Sequence, residues 1–236
     1  MAHAPGSRAK LNRTHTHLFP GDTLFCRVAR TVCEAECLPR KELYESWEVA
    51  RRTRRRLRGG RVVDLACGHA LVAWLMLLLD DTSPSALAVD AKIPPSAAKI
   101  ERTMTAAWPR LSGRVRFEQA RLGEVTLEES DVVVSSHACG TLTDEVLELA
   151  IAARARVAVL PCCHDERACD LGGLRGWLDA PLAIDVTRAA RLRNKGYEVL
   201  TQHVPESVTP KNRLLVAWPS VAGTTAPRLH ETRPEG

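Results

Sequence analysis

The sequence predicts an α/β protein with a seven-stranded, mostly parallel sheet that carries helices on both faces. From residue 60 onward, short apolar runs typical of buried strands alternate with helical patterns. Repeated strand–helix units indicate a parallel sheet covered on both sides. Only a short loop containing proline separates the last two strand-like runs, which predicts that they pair and that the last strand is antiparallel.

The chain before this alternation predicts a flexible arm and a pair of helices. Residues 1–17 are polar and lack periodicity, which favours a flexible arm. Asp22 and Thr23 can cap a first helix, and Pro39 suits the start of a second. We therefore predict that residues 18–59 form a helical segment that packs on the core.

The remaining elements follow in order from residue 60. Strands are predicted at 62–66, 86–90, 115–119, 131–135, 157–160, 198–204 and 213–218, and helices at 70–79, 96–108, 143–153 and near Ala189. Residues 60–219 should thus form the main domain. Residues 220–236 are rich in Pro, Thr and Arg and predict a disordered tail.

The composition limits the class of protein. A length of 236 residues, 45% of them hydrophobic, suits one sizeable domain. No apolar run approaches the roughly 20 residues of a membrane-spanning helix, and the polar start of the chain lacks the apolar core of a secretory signal. We therefore expect a cytoplasmic protein without a membrane contact, whose eight cysteines are reduced thiols. The oligomeric state stays open.

Arginine supplies most of the net charge of +5, and the end of the second predicted helix is rich in it. The basic stretch is defined as Arg51–Arg61 and holds Arg51, Arg52, Arg54, Arg55, Arg56, Arg58 and Arg61. Such a run can bind RNA phosphates, which makes RNA a candidate partner. It equally suits a solvated helix end, where cations complement the helix dipole. A genome composition that favours arginine is a third explanation.

The segment RVVDLACGHA, residues 61–70, predicts a cofactor loop. An apolar strand delivers Asp64 to a turn of small residues, and a helix follows. This order suits a nucleotide-type cofactor, because backbone at a strand–helix turn can approach the ligand closely. Asp90 ends the next predicted strand, where a carboxylate can accept both hydroxyls of a ribose.

The pattern Asp64-x-Ala66-x-Gly68 resembles the first motif of class I S-adenosylmethionine (AdoMet)-dependent methyltransferases. The resemblance implies a Rossmann-like class I methyltransferase fold, with AdoMet as the cofactor. Asp64 would orient the ammonium end of its methionine. The implied cofactor-binding residues are Asp64, Ala66, Cys67, Gly68, His69, Asp90, Ala91, Arg121, Ser136 and His137.

Two segments rich in cysteine and histidine follow the fourth and fifth predicted strands. They are SSHACGTLTD, residues 135–144, and PCCH, residues 161–164. Both should lie at the carboxyl edge of the sheet, beside the cofactor loop. Together they resemble one methyltransferase branch, which includes eukaryotic tRNA ribose 2′-O-methyltransferases and the methyltransferase-like domain of the glutathione S-transferase C-terminal domain-containing protein. The zinc-finger modules of the eukaryotic tRNA enzymes are missing here, so the tRNA substrate does not follow directly.

Three interpretations of these side chains compete. The first is a zinc site, but adjacent Cys162 and Cys163 do not easily face one tetrahedral ion, and no C-x-x-C pair occurs. The second is a cysteine nucleophile with His137 or His164 as its base, which methyl transfer to oxygen or nitrogen does not need. We favour the third, in which small side chains line an acceptor pocket. The residues concerned are His137, Cys139, Pro161, Cys162, Cys163 and His164, and we expect no metal.

His137 is the best-placed candidate for a general base, which a hydroxyl acceptor would need. It could equally be a strand-end histidine that only holds its loop. The sequence thus predicts an AdoMet-dependent methyltransferase, with RNA (tRNA or rRNA) as the first acceptor class. The alternatives are a protein or small-molecule methyltransferase, and a catalytically silent AdoMet-binding interaction module.

Overall fold

Residues 4–220, the part of the chain described by this computed structural model, form one seven-stranded sheet. The strands are β1 (Val62–Leu65), β2 (Ala86–Asp90), β3 (Val115–Gln119), β4 (Val132–Ser135), β5 (Arg156–Val159), β6 (Tyr197–His203) and β7 (Arg213–Pro219). Their spatial order is β3-β2-β1-β4-β5-β7-β6. β7 runs antiparallel to both of its neighbours, and the other pairs are parallel. The predicted sheet and its antiparallel last strand are confirmed.

Helices cover both faces of the sheet, as the alternating pattern predicts. They are α1 (Leu24–Ala35), α2 (Arg40–Arg54), α3 (Leu71–Leu78), α4 (Ala97–Ala107), α5 (Thr141–Ala152) and α6 (Ala180–Asn194). Buried side chains of α1 to α4 form one apolar core with the sheet, and those of α5 and α6 belong to a second core on the opposite face. All eight residues of α3 are buried, which explains why its sequence has no polar side.

The observed helix starts follow from local chemistry. The Thr23 hydroxyl accepts a hydrogen bond from Cys26 N at 3.2 Å and so caps α1, as predicted. Pro39 precedes α2 with a φ of −70° that suits a helix entry. Asp179 caps α6 by accepting from Leu182 N.

The N-terminal segment differs from the predicted flexible arm. Leu11 is fully buried, and its amide donates to Leu38 O at 2.9 Å. Gly6 N donates to Ser207 O, and Arg13–Leu18 form a 3₁₀ helix capped by Asn12. The polar average composition of residues 1–17 hides one core side chain and a backbone pairing, which together hold residues 4–17 on the fold.

Residues 1–3 and 221–236 lie outside the described part of the chain, so the predicted disordered tail at 220–236 is a prediction for all but Ser220. Within the described residues, no helix has both the length and the apolarity that crossing a bilayer requires.

The strand order places the site. β1 lies between β2 and β4, so the chain leaves the centre of the sheet in opposite directions on either side of β1. Ligands of open α/β sheets bind in the crevice beyond the carboxyl ends of the strands at such a switch point. The loops that follow β1, β2, β4 and β5 therefore meet at one edge, which we call the carboxyl edge.

Candidate cofactor and acceptor site

The loop after β1 is a tight left-handed turn. Ala66, Gly68 and Ala70 have φ values of 55°, 53° and 57°. A left-handed conformation costs a residue that has a Cβ roughly 1–2 kcal/mol. Alanine has the smallest such side chain, a methyl group. A Cβ placed at Gly68 would meet nothing within 4 Å, so the backbone there faces open space. The predicted open, small-residue loop is what the structure shows.

Asp90 holds this loop from the end of β2. One carboxylate oxygen accepts from Gly68 N at 2.9 Å, and the other accepts from Lys92 N at 3.1 Å. Each carboxylate oxygen has a second lone pair, so Asp90 keeps acceptor capacity for a pair of hydroxyls.

Asp64 is buried at the foot of the same loop. It accepts a hydrogen bond from Ala73 N at 3.2 Å, in the first turn of α3. Burial raises its pKa to about 7, the positive charge of His137 and the bond from Ala73 N oppose this rise, and the charge of Asp90 adds to it. A cationic group bound nearby would return Asp64 to its ionised form, which suits a carboxylate that receives an ammonium.

A cleft of about 410 Å³ opens beside the loop. Four of its lining residues are predicted cofactor residues, namely Ala66, Asp90, Ala91 and Arg121. Ala120, next to Arg121 at the end of the third strand, was also expected near the adenine. The lining residues that the sequence did not indicate are Leu122, Gly123, Glu124, Leu142 and Glu145. Mostly apolar walls with a carboxylate at one side suit a flat nucleobase and its ribose.

His137 points to the other side of the loop and pairs with Glu42. Its Nε2 lies 3.4 Å from Glu42 Oε1. Burial lowers the pKa of His137, but the hydrogen bond with Glu42 and the negative charges of Glu42, Glu45 and Asp64 outweigh burial, so the pKa is raised. Glu42 lies on α2, far from His137 in the sequence, and no local motif marks it.

His69 lies behind the same loop rather than free in a pocket. Its Nε2 lies 2.9 Å from the Ser96 hydroxyl at the start of α4. Burial lowers the pKa of His69, which keeps the ring neutral. Cys67 is buried, and its amide donates to Val89 O. Both side chains thus support the predicted cofactor loop.

The cysteines of the two motif segments come together. Cys139 Sγ lies 2.9 Å from Cys162 Sγ, which lies 3.9 Å from Cys163 Sγ. Gly140 N donates to Cys163 O at 3.2 Å and links the two loops. Within residues 4–220 no hydrogen bond joins His137 or His164 to a cysteine, so the geometry of a base-activated thiol is not formed there.

His164 and Pro161 lie apart from the cleft beside the cofactor loop. The His164 side chain is 3% exposed, and its Nε2 bonds to Asp185 at 2.8 Å. Asp185 also accepts from Arg213 at 2.7 Å. Pro161 is buried and lines a second cavity of about 230 Å³ with Asp185 and Arg213. A place for His164 and Pro161 in the acceptor pocket stays a prediction.

Serine and aspartate of the SSHACGTLTD segment are also structural. The Ser135 hydroxyl donates to Leu65 O at 2.6 Å, which ties β4 to β1, while Ser136 is buried. Asp144 accepts two hydrogen bonds from the buried Arg188, at 3.0 and 2.9 Å.

The later part of the basic stretch, from Arg54 on, leads into β1 at the opposite edge of the sheet, whereas Arg52 donates to the Gln202 side chain near the end of β6 at 3.2 Å. Arg54 is buried and donates to Met76 O, Leu57 O and the Ser83 hydroxyl. Burial lowers its pKa to about 10, which still leaves it charged at neutral pH. The other arginines with carboxylate partners are Arg51 and Arg52 with Glu48, Arg58 with Asp80, and Arg61 with Asp131. Arg55, Arg56 and Arg58 are exposed.

The fold and this carboxyl edge define an AdoMet-dependent methyltransferase. The residues present fit the cofactor: Asp90 can accept the ribose hydroxyls, the apolar cleft suits the adenine, and Asp64 suits the ammonium. Residues 41–170, more than half of the chain, match the sequence profile of a family described as a methyltransferase domain. The chain belongs to that family, and its cofactor is AdoMet. The matched residues begin inside α2 and include Glu42.

Several solved structures with similar folds are described as methyltransferases. A candidate O-methyltransferase of Nostoc punctiforme has a TM-score of 0.50 and 13% identity over 87% of this chain. An O-methyltransferase family protein of Burkholderia thailandensis has a TM-score of 0.47 and 19% identity over 92%. A tRNA methyltransferase of B. subtilis has a TM-score of 0.47 and 14% identity over 73%. In each case 66% of the other chain is covered, and the likeness concerns the fold. No curated protein matches the sequence.

Proposed function

We propose that this methyltransferase acts on a hydroxyl group of RNA, with His137 as the general base. The observation that carries the proposal is the His137–Glu42 pair at the carboxyl edge. A hydroxyl acceptor must lose its proton as the new bond forms, and a neutral imidazole held by a carboxylate is suited to take it. Because Glu42 raises the pKa of His137, the ring is also a stronger base than an isolated histidine.

The charges around the site favour an anionic substrate. The chain has only six lysines, at 10, 41, 92, 99, 195 and 211. Lys41 and Lys211 lie close enough to Cys163, and Lys10 close enough to His69, for their charges to act on these side chains. These three lysines therefore lie near the acceptor side. Lys92 lies two residues after Asp90, and its amide donates to the Asp90 carboxylate. Lys99 lies close enough to Cys37 to act on its thiol electrostatically. Among residues 4–220, Lys10, Lys92, Lys99 and Lys211 are exposed and form no ion pair, so they are free to bind phosphates.

The finer assignment to an RNA-acting branch is supported by sequence. Residues 135–144 and 161–164 resemble the branch of the tRNA ribose 2′-O-methyltransferases, and a ribose 2′-hydroxyl is the acceptor that a general base would serve. We propose the exposed part of the basic stretch, Arg55, Arg56 and Arg58, as a second contact for RNA, and the cytoplasm as the compartment, where free thiols stay reduced.

In the proposed reaction the cofactor activates the methyl group, and the protein binds the cofactor and aligns the acceptor. AdoMet, when bound, supplies a methyl group that its positively charged sulfur already activates. Asp64, Asp90 and the loop at Gly68 hold and orient it, and the alignment of donor and acceptor is the main contribution that remains for the protein. His137 takes the acceptor proton and is oriented by Glu42.

The test is transfer of labelled methyl groups from AdoMet into separate total RNA, protein and metabolite fractions of the host. We expect label in RNA, and nuclease digestion should locate it on ribose. The His137→Ala variant should bind AdoMet but lose transfer. Label confined to protein or metabolites would contradict the RNA assignment. Cofactor binding without transfer to any fraction would indicate a catalytically silent binding module.

A further inference from the structure

Three cysteine sulfurs converge where the loop after β4 meets the loop after β5. The Sγ atoms of Cys139, Cys162 and Cys163 all lie within 4.8 Å of one another. In the described part of the chain, no other set of three His, Cys, Asp or Glu side chains is grouped in this way. The sequence argued against a metal because Cys162 and Cys163 do not easily face one tetrahedral ion and because no C-x-x-C pair occurs. The two sulfurs are only 3.9 Å apart, so the first of these reasons does not hold.

We propose that Cys139, Cys162 and Cys163 form a zinc site with three thiolate ligands and one position open to solvent. Zinc binds thiolate sulfur at about 2.3 Å, so two ligands of a tetrahedral ion lie roughly 3.8 Å apart. The 3.9 Å separation of Cys162 and Cys163 matches this value, and the 2.9 Å separation of Cys139 and Cys162 requires a shift of about 1 Å.

The surroundings of the cluster favour thiolates and admit an ion. Cys139 and Cys163 are exposed and Cys162 is partly exposed, so the ion has a path from solvent. Lys211 and Lys41 lie close enough to Cys163 to add positive charge beside the cluster. Three thiols so close together can ionise jointly only if a cation neutralises them, as zinc does.

The loops that carry the ligands are already joined without a metal. Gly140 N donates to Cys163 O at 3.2 Å, and Arg188 N–H groups bind Gly140 O and Asp144. Most of the site is therefore preorganised, which reduces the entropy that metal binding must overcome. The zinc would fix the relative position of the loops after β4 and β5, and this role does not depend on which molecule accepts the methyl group.

The test uses the full chain, made metal-free with a chelator and kept reduced. We expect it to bind one equivalent of Zn²⁺ by elemental analysis, and to bind Co²⁺ with the thiolate charge-transfer absorption of a tetrahedral site. The Cys139→Ser and Cys163→Ser variants should lose stoichiometric zinc. Cys26→Ser, which changes a partly buried cysteine of α1 away from the cluster, should retain it.

Two results would overturn the proposal. One is that the reduced wild-type chain binds no more zinc than the Cys139→Ser/Cys163→Ser double variant. The other is a wild-type Co²⁺ spectrum without thiolate charge transfer, a measurement that does not depend on any variant folding. Binding should also weaken as the pH falls, because protons compete for the thiolates.

Discussion

Asp90, the predicted ribose carboxylate, already has a structural role in the loop after β1. In the structure it accepts hydrogen bonds from Gly68 N and Lys92 N, so it shapes the cofactor loop before any cofactor binds. The left-handed turn at Ala66 explains a second detail of the same loop. Its sequence has alanine where the resembling motif more often has glycine, and the methyl group is small enough for a φ of 55°.

Replacing Asp90 by alanine should weaken the binding of AdoMet and of S-adenosylhomocysteine by about 10²–10⁴-fold. Hydrogen bonds to a charged acceptor contribute roughly 1.5–3 kcal/mol each, and the change removes two toward the ribose as well as the support of the loop. Isothermal titration measures the effect. Asp81→Ala is the matched control, because Asp81 is exposed and remote from the cleft. Unchanged affinity of the Asp90 variant would refute its role.

The His137–Glu42 pair predicts a pH dependence of transfer. His137 must be neutral to accept a proton, so activity falls as the pH drops through its raised pKa. Glu42→Gln removes the charge that raises this pKa, and the acid limb of kcat/KM should therefore move to lower pH. His137→Ala should lower kcat by about 10²–10⁴-fold. An acid limb that stays in place in Glu42→Gln would show that another group controls it.

At the scale of elements, α2 connects the two edges of the sheet. It has 15 residues and so spans roughly 22 Å. Glu42 in its first turn reaches the acceptor side, while Arg54 in its last turn binds Met76 O and Ser83 near the end of α3. The sequence pattern predicts a solvated or RNA-binding end for α2. Arg54 in that end instead anchors the helix to the core.

The N-terminal segment supplies a second test at this scale. Leu11→Ala should lower the free energy of unfolding by about 2–5 kcal/mol, because a fully buried leucine is truncated inside the core. Urea denaturation measures the change. The neighbouring Arg8→Ala, at an exposed position, should change it by less than about 0.5 kcal/mol. A flexible arm would make both variants neutral.

At the scale of the whole molecule, positive charge is divided between two edges. Lysines surround the carboxyl edge, and the exposed arginines of the basic stretch lie at the opposite edge. Strands of four or five residues separate the two edges by roughly 15 Å. A folded RNA can contact both edges, whereas a short oligonucleotide bound at the acceptor contacts only the first.

Charge reversal at each edge separates these contributions. Lys10→Glu/Lys99→Glu should weaken both RNA retention and methyl transfer to a short oligonucleotide. Arg55→Glu/Arg56→Glu should weaken retention of long RNA in filter binding but leave oligonucleotide transfer nearly unchanged, and raising the salt should reduce the difference. If the arginine variant retains RNA like the parent chain, the basic stretch is not an RNA surface.

The pattern of apolar and polar residues within short stretches of the sequence was sufficient to predict the fold. Each strand from β1 to β7 and the helices α3, α4 and α5 were predicted within a few residues. For α1 and α2 only the starts were predicted, and for α6 only a position near Ala189. Buried parallel strands are apolar throughout, and this signal is contained in a few adjacent residues. The cofactor loop was predicted for the same reason, since Asp64, Ala66 and Gly68 lie within one turn.

Contacts between residues distant in sequence were decided only by the tertiary structure. By itself the sequence determined the α/β fold, the methyltransferase class and the AdoMet cofactor, and it predicts a cofactor loop at residues 64–68 with Asp90 as the ribose carboxylate. The sequence could not show that Glu42 pairs with His137 or that Asp185 binds the buried His164. Nor could it show that the sulfurs of Cys139, Cys162 and Cys163 lie close together. The physical reason is that each of these contacts depends on which loops the strand order brings to one edge of the sheet. No short stretch of sequence indicates that order, for example that β7 lies between β5 and β6.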